Sequence, residues 1–181
     1  MFNGPFDDMS DDEWKGRFRE IHDAGVERYR AGRQSPGAMF EPDEVEWLKG
    51  LGCTAQELFD FVEDGLGGSP TYAEVEEVTA IRRDYFLNQM NGGWTGHEID
   101  MDALPAKSDA VDGIAWLPRI IPKAKAKLRG EMPPDLMYGC GGDRPFLKSV
   151  NVGLGEFLRV VRDAENAREV IEFVKGRAAG G

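Results

Sequence analysis

Thr54-Ala55-Gln56-Glu57-Leu58-Phe59-Asp60-Phe61-Val62-Glu63-Asp64-Gly65 carries a helix start, a buried face and a helix stop in one short run. Thr54 and Glu57 stand three apart, the spacing at which each side chain caps the other's backbone N–H. Leu58, Phe61 and Val62 then fall on one side, and Gly65 ends the pattern. A period near 3.6 with caps at both ends has no counterpart in a strand, so this segment sets the expectation for its neighbours.

Working outward, nearly every segment repeats the pattern. Residues 11–31 read as a long polar helix with Trp14, Phe18, Ile21 and Val26 on its apolar side, broken by Gly32, Pro36 and Gly37. Pro42 opens a short helix carrying Val45, Trp47 and Leu48, which Gly50 and Gly52 end. Ser69-Pro70 reads as the start of the next helix, with proline in its first turn. Val75, Val78, Ile81 and Tyr85 follow at helical spacing, and Asn91-Gly92-Gly93 closes it. Residues 92–113, rich in Gly, Asp and Pro, read as an ordered crossing loop with room for a short strand.

Pro118 and Pro122 place a helix start near Pro118, since proline is tolerated only in the first turns. Its buried stripe is Ile121, Ala124 and Leu128. Further helices are expected at residues 144–150, 155–163 and 167–177, the last capped by Asn166 with Glu169 three residues on. The expectation is an all-α, single-domain orthogonal bundle of about seven helices with an irregular central crossing loop. Within it, residues 1–40 form a helical extension, 41–112 a half with the crossing loop, and 113–177 a second helical half.

Composition bounds the function. The 181 residues are 41% hydrophobic and 30% charged, ordinary for a soluble globular chain. No apolar run approaches the roughly 18 to 20 residues of a membrane helix, and the N-terminus has neither the basic nor the apolar region of a secretory signal. Two cysteines are too few for a disulfide framework, so a cytoplasmic setting without membrane association is expected. Net charge is −11, concentrated in residues 1–80, and this argues against nucleic acid as a partner. Arg119, Lys123, Lys125, Lys127 and Arg129 form a local cationic run without an acid. Such a run suits a small anion, or else is a solvated helix face.

The chemistry-bearing stretch is Tyr138-Gly139-Cys140-Gly141-Gly142-Asp143-Arg144-Pro145-Phe146-Leu147. Glycine is costly in conformational entropy, so three of them around one thiol mark a special backbone shape. Cys140 is the nucleophile candidate: ahead of a helix start and near Arg144, it should carry more thiolate than an ordinary cysteine. The alternative is a packed core thiol. Asp143 reads as the N-cap of the helix bearing Phe146 and Leu147, or as an acid–base group. Tyr138 is a further proton donor, or a core aromatic.

Arg119 and Lys123 share a helix face. Arg82 borders an apolar stripe, so it joins Arg119 and Arg144 in a fork for a carboxylate or phosphate, or pairs with Glu63, Asp84 or Asp112. Arg83 points elsewhere and is expected on the surface. Tyr85 could donate or accept a proton, or pack as a core aromatic, and Trp94 and Trp116 are candidate pocket walls. No metal-ligand spacing and no nucleotide-binding glycine motif is present, so no metal and no cofactor is expected; Cys140, Asp143 and His97 carry no specific zinc signal.

Three motifs carry a resemblance. Gly113-Ile114-Ala115-Trp116-Leu117-Pro118-Arg119-Ile120-Ile121 with Lys123-Ala124, then Leu128-Arg129-Gly130-Glu131, then Tyr138 with Cys140, Asp143, Phe146 and Leu147, together resemble the bacterial family called domain of unknown function 5069. The similarity covers roughly residues 113–175. Gly141-Gly142 between Cys140 and Asp143, and the long N-terminal half, depart from the shorter members. The resemblance implies a helical domain with a shared pocket and names no reaction.

The function expected from these residues is a small cofactor-independent enzyme of lyase or hydrolase type acting on a small anionic metabolite. Cys140, Asp143 and Tyr138 would supply the chemistry; Arg82, Arg119, Lys123, Arg144, Trp116 and Tyr85 would bind the substrate. A homodimer is compatible with this reading. The alternative is a non-catalytic ligand-binding or protein-interaction domain with Cys140 in its core.

Overall fold

The computed structural model describes residue 6 and residues 9–180. Among them are nine α-helices, one 3-10 turn at Met101–Ala103 and a single two-stranded hairpin, so the fold is all-α as expected. The chain divides into two compact units, Met1–Gly93 and Trp94–Gly181, with the division inside the expected crossing loop.

The first unit holds α1 (Asp11–Arg30), α2 (Pro36–Met39), α3 (Pro42–Leu51), α4 (Ala55–Gly65) and α5 (Tyr72–Asn88). Its core joins Trp14, Phe18, Ile21, Met39, Leu48, Leu58, Val62, Val75 and Val78. The Thr54–Glu57 capping box is present as read, and Ser10–Glu13 and Thr71–Glu74 form two more. On α1 the fourth buried position is Gly25 rather than Val26. A Cβ at Gly25 would stand 3.3 Å from Met39 and Phe40, so glycine lets α1 lie close to the segment that follows it.

Several boundaries differ from the expectation. The stretch read as a break after α1 contains the one-turn α2, with Ser35 as N-cap and Pro36 at its start. Glu44 is buried on α3 where Val45 and Trp47 were expected, because Arg28 of α1 grips its carboxylate at 2.6 Å. Gly50 lies inside α3, and the helix stops at Gly52, whose φ of +88° is a left-handed C-cap. Pro70 precedes α5, and Thr71, not Ser69, caps it. Phe86 takes the core position expected of Tyr85, which is half-buried.

In the second unit, β1 (Ala110–Val111) pairs antiparallel with β2 (Ile114–Ala115) across a turn with positive φ at Asp112 and Gly113. α6 (Leu117–Arg129) begins as the prolines require: Pro118 lies in the first turn and Pro122 early inside the helix, whose buried side includes the expected Ile121, Ala124 and Leu128. α7 (Asp143–Ser149), α8 (Leu154–Asp163) and α9 (Ala167–Ala179) follow. α6 packs on α8, and both meet α9, so Leu117, Ile120, Ala124, Phe157, Leu158, Val161, Val170 and Val174 share one core. Asn166 caps α9 by accepting from Arg168 and Glu169 N–H. Among the described residues, no helix is long and apolar enough to cross a membrane.

Candidate functional site

α6 presents Lys123 on its buried side. Lys123 and Lys127 stand three and seven residues after Ile120, the spacing of a single helical face, and both are buried. The cationic run is therefore not a uniform solvated face. Lys125 and Arg129 are exposed, whereas Lys123 faces the glycine turn that precedes α7. A buried ammonium demands partners, and Lys123 has them: Nζ donates to Asp143 Oδ2 at 2.6 Å and to Cys140 Sγ at 3.3 Å.

Asp143 is fully buried and both of its oxygens are engaged. Oδ1 accepts from Trp116 Nε1 at 2.9 Å, and Oδ2 also accepts from the Gly139 N–H at 2.9 Å. The N-cap of α7 is Gly142, and no side chain caps it. The expected capping role of Asp143 is thus replaced by another: as the first residue of a short helix, it turns back to tie the preceding loop to α6. The loop closes further through Arg144, whose Nη1 donates to the Gly139 carbonyl at 2.6 Å.

Two backbone features make the turn possible. Gly139 has φ of +82°, and a Cβ there would also come within 2.8 Å of Leu154. At Gly142 a Cβ would sit 2.3 Å from the Trp116 ring, so only glycine leaves room for the indole whose N–H reaches Asp143. Trp116 itself has φ of +71°, uncommon for a bulky residue, at the joint between β2 and α6. Gly141, by contrast, faces open space and is exposed.

The remaining expected residues take these positions. Cys140 is half-buried, unlike Cys53, which is 2% exposed and donates to the Thr54 carbonyl. Tyr138 is buried, and its hydroxyl donates to the Leu154 carbonyl at 2.7 Å. Arg119 is half-buried and donates to the Pro105 carbonyl at 2.8 Å. Trp94 is exposed in the loop, as is His97.

Arg82 and Tyr85 belong to α5 of the first unit, whereas Arg119, Lys123 and Arg144 belong to the second. Arg82 is fully buried; its Nη1 contacts Met90 Sδ at 3.3 Å and its guanidinium lies over Phe86. Burial pushes that guanidinium below its ordinary value. Of the acids considered for it, Glu63 accepts from Tyr29, Asp84 accepts from Asn88, and Asp112 pairs with Arg168 and Lys175. Arg83, expected on the surface, is half-buried: it donates to the Phe6 carbonyl at 2.9 Å and lies over the Trp14 ring.

What composition and spacing missed is the pairing of Asp143 with its two side-chain donors, Trp116 and Lys123. Trp116 is expected as a pocket wall, and Lys123 as an anion-binding residue or part of a solvated face. The register of Lys123 with Ile120 was the available signal for its burial. A shallow groove of about 310 Å³, lined by Glu156, Arg159, Val160, Asp163, Ala164 and Glu169, lies along α8 and the start of α9 and includes none of the residues expected at the site.

No curated protein and no solved structure matches the chain. The Lys123–Asp143–Cys140 network lies wholly inside the stretch that a family model covers. Residues 103–179, a span slightly wider than the three motifs indicated, match the model of the family described as Domain of unknown function (DUF5069).

Proposed function

We propose that the chain is a small enzyme of lyase or hydrolase type, working without a cofactor on a small anionic substrate, with Cys140 as its reacting group. One observation carries the reading: the buried Lys123 ammonium is held by Asp143 at 2.6 Å while also touching Cys140 Sγ at 3.3 Å. A cation fixed beside sulfur is the environment in which thiols act as nucleophiles. The half-buried thiol sits next to exposed Gly141, whose missing side chain leaves the approach open.

In this reading the other residues take narrower roles. Asp143, with both oxygens engaged, is a positioning residue for Lys123 rather than a proton carrier. The Tyr138 hydroxyl is committed to the Leu154 carbonyl and acts as a brace for the turn. Arg119, one helical turn before Lys123, supplies a second positive charge for an anion. Arg82 and Tyr85 carry no part of the proposal.

A second reading, a non-catalytic ligand-binding or interaction domain, is favoured by the complete internal engagement of Asp143. A triply bonded buried carboxylate is also what a purely structural tie requires.

Alkylation by iodoacetamide at neutral pH, followed for each cysteine by peptide mass mapping, separates the two. The catalytic reading expects Cys140 to react about tenfold faster than a free small-molecule thiol. It also expects at least one small carboxylate or phosphate to slow that reaction and to raise Tm in line with RT ln(1 + [L]/Kd). A Cys140 that reacts no faster than the free thiol, and that no such anion protects, ends the proposal and leaves the second reading.

A further inference from the structure

The contact between Lys123 Nζ and Cys140 Sγ has a chemistry independent of any catalysis. We infer that this pair is an oxidative modification site, at which peroxide joins lysine to cysteine through a single bridging oxygen, N–O–S. The reach is already made: nitrogen and sulfur stand 3.3 Å apart, and one inserted oxygen needs them only slightly nearer. The nitrogen is held in place, because Lys123 is 2% exposed and anchored on Asp143 at 2.6 Å. The sulfur is reachable by a small oxidant, because Cys140 is half-buried beside exposed Gly141.

The balance requires two molecules of hydrogen peroxide. Sulfur and nitrogen each lose two electrons; the S–H bond and one N–H bond break, and S–O and O–N bonds form. The ammonium also releases one proton to water, and the two peroxides leave as three water molecules with one oxygen retained in the bridge. The bridged nitrogen keeps one N–H, so Asp143 Oδ2 still has a donor after the reaction. The product ties the glycine turn covalently to α6, a linkage that the non-covalent network already prefigures. Excess dithiol restores the thiol and the amine by the reverse four-electron change.

The experiment treats the full chain with hydrogen peroxide, then maps it with trypsin under non-reducing conditions. The expected result is a peptide joining Lys123 to Cys140, heavier by about 14 Da than the sum of its parts (one oxygen gained, two hydrogens lost). Cleavage after Lys123 is lost with it, and dithiothreitol reverses both. Cys53, buried to 2% exposure, stays a thiol and serves as the internal control. Lys123→Arg keeps a cation for Asp143 but should abolish the cross-link, leaving Cys140 to gain about 16 Da or more by ordinary sulfur oxidation. The inference is overturned if wild-type Cys140 is unmodified, or gains only oxygen with no link to Lys123. That wild-type map decides the matter even if Lys123→Arg fails to fold.

Discussion

Replacing Asp143 by Asn tests whether the second unit depends on its buried ion pair. The substitution preserves volume and one carbonyl oxygen but removes the charge. Three donors converge on the native carboxylate: Trp116 Nε1 at 2.9 Å, Lys123 Nζ at 2.6 Å and the Gly139 N–H at 2.9 Å. One amide oxygen cannot serve all three, and the amide NH2 would meet a donor. The larger effect is on Lys123, whose ammonium is left 2% exposed without a counter-charge. Removing one partner of a buried pair costs about 3–5 kcal/mol, against total stabilities of about 5–15 kcal/mol.

For a unit of this size the corresponding fall in Tm is on the order of 15 °C or more. Urea unfolding followed by circular dichroism measures the loss, and Lys123→Met supplies the control. Alone, Lys123→Met should destabilise, because it strands Asp143. Added to Asp143→Asn it should cost little or restore stability, because it removes the orphaned charge. The coupling between the two substitutions should be about 2 kcal/mol or more. A loss below about 1 kcal/mol for Asp143→Asn, the value of an exposed pair, refutes the reasoning. Equal costs for Lys123→Met in both backgrounds refute it as well.

Two further outcomes follow from named contacts. Gly142→Ala places a Cβ 2.3 Å from the Trp116 ring and should cost about 1–3 kcal/mol with a shift in tryptophan fluorescence, while Gly141→Ala, facing open space, should change stability by no more than about 0.5 kcal/mol; equal effects in chemical denaturation would contradict the packing described. Glu44 sets a pH dependence in the first unit: burial pushes its carboxyl up, but hydrogen bonds from Arg28 and the Glu41 N–H, with the Arg28 charge, leave it below its ordinary 4.5. A lowered folded value stabilises above pH 4.5 and is lost as pH falls through that lower value, so Glu44→Gln should be least stable relative to wild type near neutrality, with the gap shrinking in acid; a gap that grows on acidification in parallel urea titrations would show the sign to be wrong.

Much of the fold was legible because its determinants are local. The Thr54–Glu57 box, the Asn166 cap and the Pro118–Pro122 spacing act within a turn or two of the chain, and each is found where its spacing puts it. What escaped was set by contacts distant in sequence. Glu44 is buried only because Arg28, sixteen residues earlier, meets it, and no property of α3 alone encodes that. Asp143 looked like an N-cap because aspartate before a helix usually is one. Its actual partners lie 20 and 27 residues upstream, on α6 and at its entrance. Lys123 was expected to bind an anion or to lie on a solvated face; its register with Ile120 was the signal that it lies on the buried side of α6, where Asp143 holds it.

The same contacts explain why the two outer motifs belong to one unit of structure. The run Trp116-Leu117-Pro118-Arg119 with Lys123 starts α6, and the run Tyr138 to Leu147 makes the turn into α7. Asp143 binds one residue from the first run with each oxygen: Trp116 through Oδ1 and Lys123 through Oδ2. Gly142 must lack a side chain for Trp116 to fit, and the Gly139 N–H occupies the remaining position on Oδ2. Removing any one of these residues leaves a buried polar group of another without a partner or closes the space it fills. Cys140 is the exception. Its sulfur accepts from Lys123, but none of the Asp143 contacts runs through it, and a serine would leave the tie intact. A residue that the scaffold positions without depending on it is where chemistry can be placed, and this asymmetry is the reason to direct both the alkylation and the peroxide experiments at Cys140.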